Sequence, residues 1–209
     1  MRQINRYLSS KIKASDIRAT DKTIKQIVKD ELDRLGHNAD LNHIDTSNVS
    51  DMSYLFDNVG YLDNVGFSGD VSDWDVSNVI NFTYTFNKCK EFNCDLSKWD
   101  TMNLVDSTSM FRGCEKFEGI GLEKWEINKI EVADSMFEGC INFNADISSW
   151  DMRNCWVVDY MFYNCKKFKQ DLSKWKFKEM KYHHHIGCEA VFTSSRMARH
   201  KELWPKELL

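Results

Sequence analysis

The sequence predicts an α/β repeat fold: a solenoid with one short parallel strand and a helical turn per rung, closed by helical caps at both ends. Three observations carry this prediction. Tryptophan falls at 74, 99, 125, 150 and 175, in steps of 25 or 26 residues. Phenylalanine follows each of the first four by twelve, at Phe86, Phe111, Phe137 and Phe162. Three residues later come Cys89, Cys114, Cys140 and Cys165, and three beyond those Phe92, Phe117, Phe143 and Phe168. Independent columns locked to one period are the signature of stacked units that cannot bury their apolar side chains alone.

The composite unit reads W-D-x-S-N-V-x-x-M-x-x-M-F-x-x-C-x-x-F-N-x-D-L-S-x. A single 25-residue coil leaves its Trp, Phe, Cys and Leu open to water, whereas stacked coils seal one another. Each Phe or Leu buried this way contributes roughly 1.5–3 kcal/mol, so the interior needs neither metal nor disulfide. Within the unit, D-L-S-x-W is the strand candidate (Asp70–Trp74, Asp95–Trp99, Asp146–Trp150 and Asp171–Trp175). The S-N pieces after it are turn chemistry. The V-x-x-M-x-x-M-F text repeats nearer three than two, which predicts a helical or 3-10 turn.

The first and last copies depart from the consensus, as terminal units meeting water should. Ile44 to Val59 matches Trp74 to Cys89, with Ile44 in the tryptophan position and Val59 in the cysteine position. About five extra residues then delay the next phenylalanine to Phe67. After Trp175 the M-F-x-x-C column is lost.

This unit resembles the 25-residue repeat of BspA-like proteins, the branch of the leucine-rich-repeat class also found in mycoplasma surface lipoproteins. The resemblance covers residues 44 to about 182. It implies a curved, right-handed solenoid with a short parallel sheet, used to bind other macromolecules, often as an exported adhesin. No leader or lipid-attachment cysteine is visible in this chain.

The chain therefore divides into an N-terminal helical cap at 1–39, the repeat array at 40–182 and a C-terminal cap at 183–209, as one continuous structural domain. In the first cap, Ile24, Ile27, Val28, Leu32 and Leu35 form one stripe and Gly36 suits the helix end. A weaker helix is expected around Gln3–Lys13. In the second cap, a helix within Glu189–Glu202 would offer Val191, Phe192, Met197 and Leu203 to the last rung, ahead of Pro205.

Composition narrows the function classes. The chain has 209 residues, 42% of them hydrophobic, a single proline and a net charge of −4. That charge exerts no global pull on nucleic acid or membrane. No apolar run approaches a bilayer span, and the first residues lack the apolar stretch of a signal peptide. A cytoplasmic location is expected. Seven cysteines, an odd count with no C-x-x-C pair, favour reduced thiols.

The cysteine column reads as inert core thiols. The aspartate columns (Asp70, Asp95, Asp146, Asp171, and Asp45, Asp75, Asp100, Asp151) read as turn acceptors. A copy in nearly every rung is the opposite of the unique pair a glycosidase needs. His183, His184 and His185, with Cys188, approach zinc-ligand chemistry, but a capping segment is the favoured reading. No catalytic triad, phosphate loop or metalloprotease motif appears, so no enzyme, cofactor or metal is expected.

The leading expectation is a non-enzymatic scaffold that binds another protein through an exposed strand face. The variable positions before each tryptophan, Asp73, Lys98, Lys124, Ser149 and Lys174, would make the contact. The alternative is binding of nucleic acid or another polyanion at the basic C-terminal end, through Lys166, Lys167, Lys169, Lys176, Lys178 and Lys181. Residues 166–201 carry a local charge of +7 against −11 elsewhere, which would steer an anion and make its affinity salt-dependent.

Overall fold

The computed structural model describes residues 17–57, 66–177 and 189–209. Strand β1 (Ile17–Arg18) pairs in parallel with β2 (Ile44–Asp45), and helix α1 (Ile24–Leu35) crosses between them. The predicted stripe holds in part: Ile24, Val28 and Leu32 are buried, Ile27 is half-buried and Leu35 is exposed. Gly36 ends the helix at φ 91°, a region that favours glycine, with its N–H bonded to the Leu32 carbonyl. The weaker helix expected at Gln3–Lys13 lies outside the described residues.

From Leu41 onward, successive coils lie on one another and share one continuous apolar core. Aromatic rings run through it in columns. Phe86, Phe111, Phe137 and Phe162 stack on one another at 5.6–5.8 Å between centroids. Trp99, Trp125, Trp150 and Trp175 do the same at 6.1–6.4 Å. Within each coil the two phenylalanines also pack face to face, as Phe111 does on Phe117 at 4.2 Å. Offset rings of this kind add to simple area burial. Phe67, delayed by its insertion, still reaches the column and stacks on Phe56 at 4.1 Å.

Two polar columns explain why tryptophan and cysteine, rather than other apolar residues, recur. Each indole N–H donates to a backbone carbonyl of the preceding coil: Trp74 to Leu41, Trp99 to Val71, Trp125 to Leu96, Trp150 to Leu122 and Trp175 to Ile147, at 2.9–3.1 Å. Each thiol does likewise, Cys114 to Phe86, Cys140 to Phe111 and Cys165 to Phe137, at 2.9–3.0 Å. Each of these carbonyls already accepts the backbone N–H three residues on, so the indole or thiol takes its second lone pair; a buried donor left without an acceptor would cost about 1–3 kcal/mol. Burial pushes the Cys89 thiol up to about 12 and the deeper thiols above the ordinary range, so the column holds neutral thiols with no nucleophilic role.

The ladder runs through the V-x-x-M-x-x-M-F text, where the sequence expectation put a helical or 3-10 turn, and the turn is there as well. Parallel bridges link Asp51 to Asn81, Asn81 to Asp106, Asp106 to Val132 and Val132 to Val157, within the V-x-x-M-x-x-M-F text. Alternate N–H groups there donate to the next coil, as Phe82 does to Asp106, Tyr84 to Thr108, Phe86 to Met110 and Lys88 to Arg112. The period of three corresponds to turns closed by the N–H of Thr85 on Phe82, of Met110 on Ser107 and of Met136 on Ala133, each around a left-handed residue. Tyr54, Tyr84, Ser109, Ser135 and Tyr160 all take φ between 52° and 58°. One left-handed residue resets the in–out alternation, so Met52, Leu55 and Phe56 all face the core.

D-L-S-x-W, read as a strand, is a turn. Asp70, Asp95, Asp146 and Asp171 each accept the N–H two residues ahead through Oδ1, at 2.8–3.0 Å. The tryptophan N–H then closes on the residue three back, as Trp99 does on Leu96 at 3.2 Å. Asp70 also holds a parallel bridge to Asp40, so capture of this kind coexists with pairing in the first unit.

At the C-terminal end, residues 189–209 carry the columns onward. Helix α2 (Glu189–Phe192) lies within the span where a helix was expected, is short, and is followed by 3-10 turns at Arg196–Arg199, Lys201–Leu203 and Lys206–Leu208. Phe192 stacks on Phe162 at 5.6 Å and parallel to within 1°. Phe162 and Asn164 donate to the Val191 and Thr193 carbonyls, and Leu172 donates to Leu203. The phenylalanine column, lost to the eye after Trp175, resumes at Phe192. Ser195 stands three residues on, in the cysteine position, and its hydroxyl bonds the Phe192 carbonyl.

Candidate functional site

The stack presents several surfaces, and the positions before each tryptophan occupy one of them. Asp73, Lys98, Lys124, Ser149 and Lys174 are all exposed. They sit on the Asx-turn edge rather than on a strand face. Lys98 forms an ion pair with Asp73 of the preceding coil. The turn leaves these side chains in water, where pairs of this kind contribute little.

Of the basic set, Lys166, Lys167 and Lys169 are exposed on the last full coil, and Lys176 reaches Glu207 at 3.9 Å. Lys178, Lys181 and the His183–His185 cluster with Cys188 lie outside the described residues. Among the described residues no group of three or more His, Cys, Asp or Glu side chains could hold a metal ion.

A cleft of about 400 Å³ opens near the first coils, lined in part by Asp40, Asp70, Glu91, Asn93, Cys94 and Asp95. Asp40, Asp70 and Asp95 are already engaged in turns, and Glu91 pairs with Lys116 at 3.5 Å. The Ser72 N–H holds the Asp70 carboxyl down at about 2. The Cys94 thiol donates to Asp70 Oδ1 at 3.4 Å, and burial raises it to about 12, so it is no nucleophile at neutral pH.

The ladder face differs in character, and the sequence reading passed over it. Its outward positions vary from coil to coil while the inward ones hold Phe and Met. At the left-handed position stand Tyr54, Tyr84, Ser109, Ser135 and Tyr160 in turn. Tyr54 is 50% exposed and stacks on Tyr84 at 5.1 Å, with Lys25 Nζ 5.9 Å from the Tyr54 ring centroid. Ile80 (49%) and Trp156 (41%) are exposed at the start of the segment, and Tyr160 meets Tyr163 edge to face at 5.8 Å. A bulky residue at positive φ costs of order 1 kcal/mol. Glycine already serves the next such position in Gly113 and Gly139, so the tyrosines are not there to ease the turn. The signal for them was the variation itself, in columns flanked by invariant phenylalanine.

The C-terminal half of this face is acidic. Burial, then the Asp159 and Glu138 charges, push the Asp134 carboxyl up to about 6. Arg112 pairs with Glu138 at 3.0 Å. Because its folded pKa is raised, Asp134 favours the folded state through a bound proton. That contribution is complete below the ordinary carboxylate range and is lost as pH rises through about 6. Asp134→Asn is therefore expected to stabilise the protein at pH 7–8 by about 1 kcal/mol, after allowance for solvent screening. The gain should vanish below about pH 4, as thermal melts across that range would report.

With this geometry in hand, the chain can be set among known families. The family described as "Mycoplasma protein of unknown function, DUF285" matches residues 23–132 and again 108–198. The chain belongs to that family. The two matches overlap by 25 residues, the length of one repeat. No curated protein and no solved structure matches the chain.

Proposed function

Taking membership of this mycoplasma family as the premise, we propose that the chain is a non-enzymatic scaffold that binds another protein through its ladder face. In this reading the stack is a right-handed solenoid of the BspA-like, leucine-rich-repeat kind. The 25-residue period and the parallel bridges repeated from coil to coil support it. The observation that carries the binding role is the exposure of Tyr54, Ile80 and Trp156 on a face whose equivalent positions tolerate serine. Aromatic side chains in that setting are typical anchors of protein interfaces. A rigid stacked core holds them at fixed spacing while leaving their identity open.

The test uses serine, the residue found in the same columns at Ser50, Ser109 and Ser135. An immobilised Y54S/Y84S/W156S variant should fail to retain the partner that the wild-type chain captures from mycoplasma lysate, while melting at the same temperature. A K98S/K124S/K174S variant, altered on the turn edge, should retain it. The reverse pattern would move the binding surface to the edge and overturn the proposal.

A further inference from the structure

The ladder face also specifies the charge of what it binds. Its five eight-residue segments, 50–57, 80–87, 105–112, 131–138 and 156–163, contain seven carboxylates: Asp51, Asp57, Asp106, Glu131, Asp134, Glu138 and Asp159. They contain one cation, Arg112, which is already paired with Glu138. The segments thus hold seven carboxylates to one cation. The nearby cations, Lys25 over the Tyr54 ring and Lys88, lie toward the N-terminal coils. Segments 131–138 and 156–163 carry four carboxylates and no Lys or Arg, and the ladder passes on from them to Val191 and Thr193.

Aromatic rings stand among these acids. Trp156 is exposed, and Tyr160 and Tyr163 are half-buried with their rings close to perpendicular, at 76°. A carboxylate attracts any cation, but a ring face adds a preference for one that is planar and weakly hydrated. Guanidinium meets both conditions, since it pairs with carboxylates and stacks on aromatic rings. Carboxylates in this number disfavour a polyanion at segments 131–138 and 156–163. Asp134, whose protonation is favoured first by burial and then by the Asp159 and Glu138 charges, would gain from an arriving cation.

Resting on the binding role given above, we propose that the C-terminal half of the ladder face takes an arginine-rich segment of a protein partner. Guanidinium groups would pair with Glu131, Asp134 and Asp159, and stack against Trp156, Tyr160 and Tyr163.

The probe is a fluorescein-labelled, N-acetylated eight-residue peptide of alternating arginine and serine, followed by anisotropy at low and moderate salt. Its lysine counterpart serves for comparison. The full chain should bind the arginine peptide several-fold more tightly than the lysine peptide, and both more weakly as salt rises. Triple substitution E131Q/D134N/D159N should weaken arginine-peptide binding at least tenfold. An E118Q/E123Q/E126Q variant removes the same charge from exposed positions elsewhere and should bind nearly as the wild type does. Equal losses in the two triple variants would reduce the effect to net charge and overturn the inference, as would equal affinity for the two peptides. Retention of the captured partner by E131Q/D134N/D159N, together with its loss from Y54S/Y84S/W156S, would refute a basic partner while leaving the face as the binding surface. Retention by both would remove the face itself.

Discussion

Phe137→Ala is expected to lower the stability of the chain by about 3–5 kcal/mol, the range for deleting a fully buried aromatic side chain. The ring sits at a crossing of contacts. It stacks on Phe111 at 5.8 Å, on Phe162 at 5.7 Å and on Phe143 at 4.1 Å, and it tilts against Trp150 at 6.1 Å. The rings above and below are held by their own coils, so the cavity has little freedom to close. Phe137→Leu, which keeps most of the volume, should cost only about 1–2 kcal/mol. Urea denaturation separates the two variants. A loss under 1 kcal/mol for the alanine variant would mean that neighbouring coils do not depend on one another.

The second large effect is expected at Gly121. The interval from Phe117 to Trp125 holds one residue more than that from Phe92 to Trp99, which is the source of the single step of 26. Gly119 and Gly121, at φ 86° and 91°, fold the extra residue away. A Cβ on Gly121 would lie 2.2 Å from the Ser97 nitrogen of the preceding coil, on a backbone that resists L side chains. Gly121→Ala should cost about 3 kcal/mol or more, combining left-handed strain with overpacking against backbone. Gly139→Ala is the control. Its φ is 76°, but the nearest atoms are 3.6 Å away, so only the conformational term remains, about 1–2 kcal/mol. Similar losses at the two sites in urea titrations would show that the extra residue is absorbed elsewhere.

The repeating columns were legible because burial repeats with the chain. Wherever Trp, Phe or Cys recurred at the period, the structure places it in the core, and helix α1 follows its apolar stripe. The turn in the V-x-x-M-x-x-M-F text was legible from its spacing near three, but the ladder running through the same text was not, because residues at positive φ break the alternation of two. Nothing about Ser109 or Tyr84 announces positive φ in the way glycine does. The last coil was missed for a related reason: Phe192 keeps its column after an interval of 30 residues from Phe162 instead of 25 or 26.

Site reasoning went to the turn edge because that is where lysine alternates with aspartate and serine. The ladder aromatics were less conspicuous. Tyr54, Trp156 and Tyr160 look like core residues in a chain that is 13% aromatic. Only the inward turn of their neighbours leaves them outside, and that depends on the same left-handed position.

The carbonyl that each indole and thiol seeks belongs to chain synthesised one coil earlier. For these side chains a ribosome delivers acceptors before donors, and for the ladder it delivers donors first, since N–H groups such as those of Phe82 and Tyr84 await carbonyls of the following coil. Each emerging coil therefore completes the one behind it and leaves groups for the one ahead.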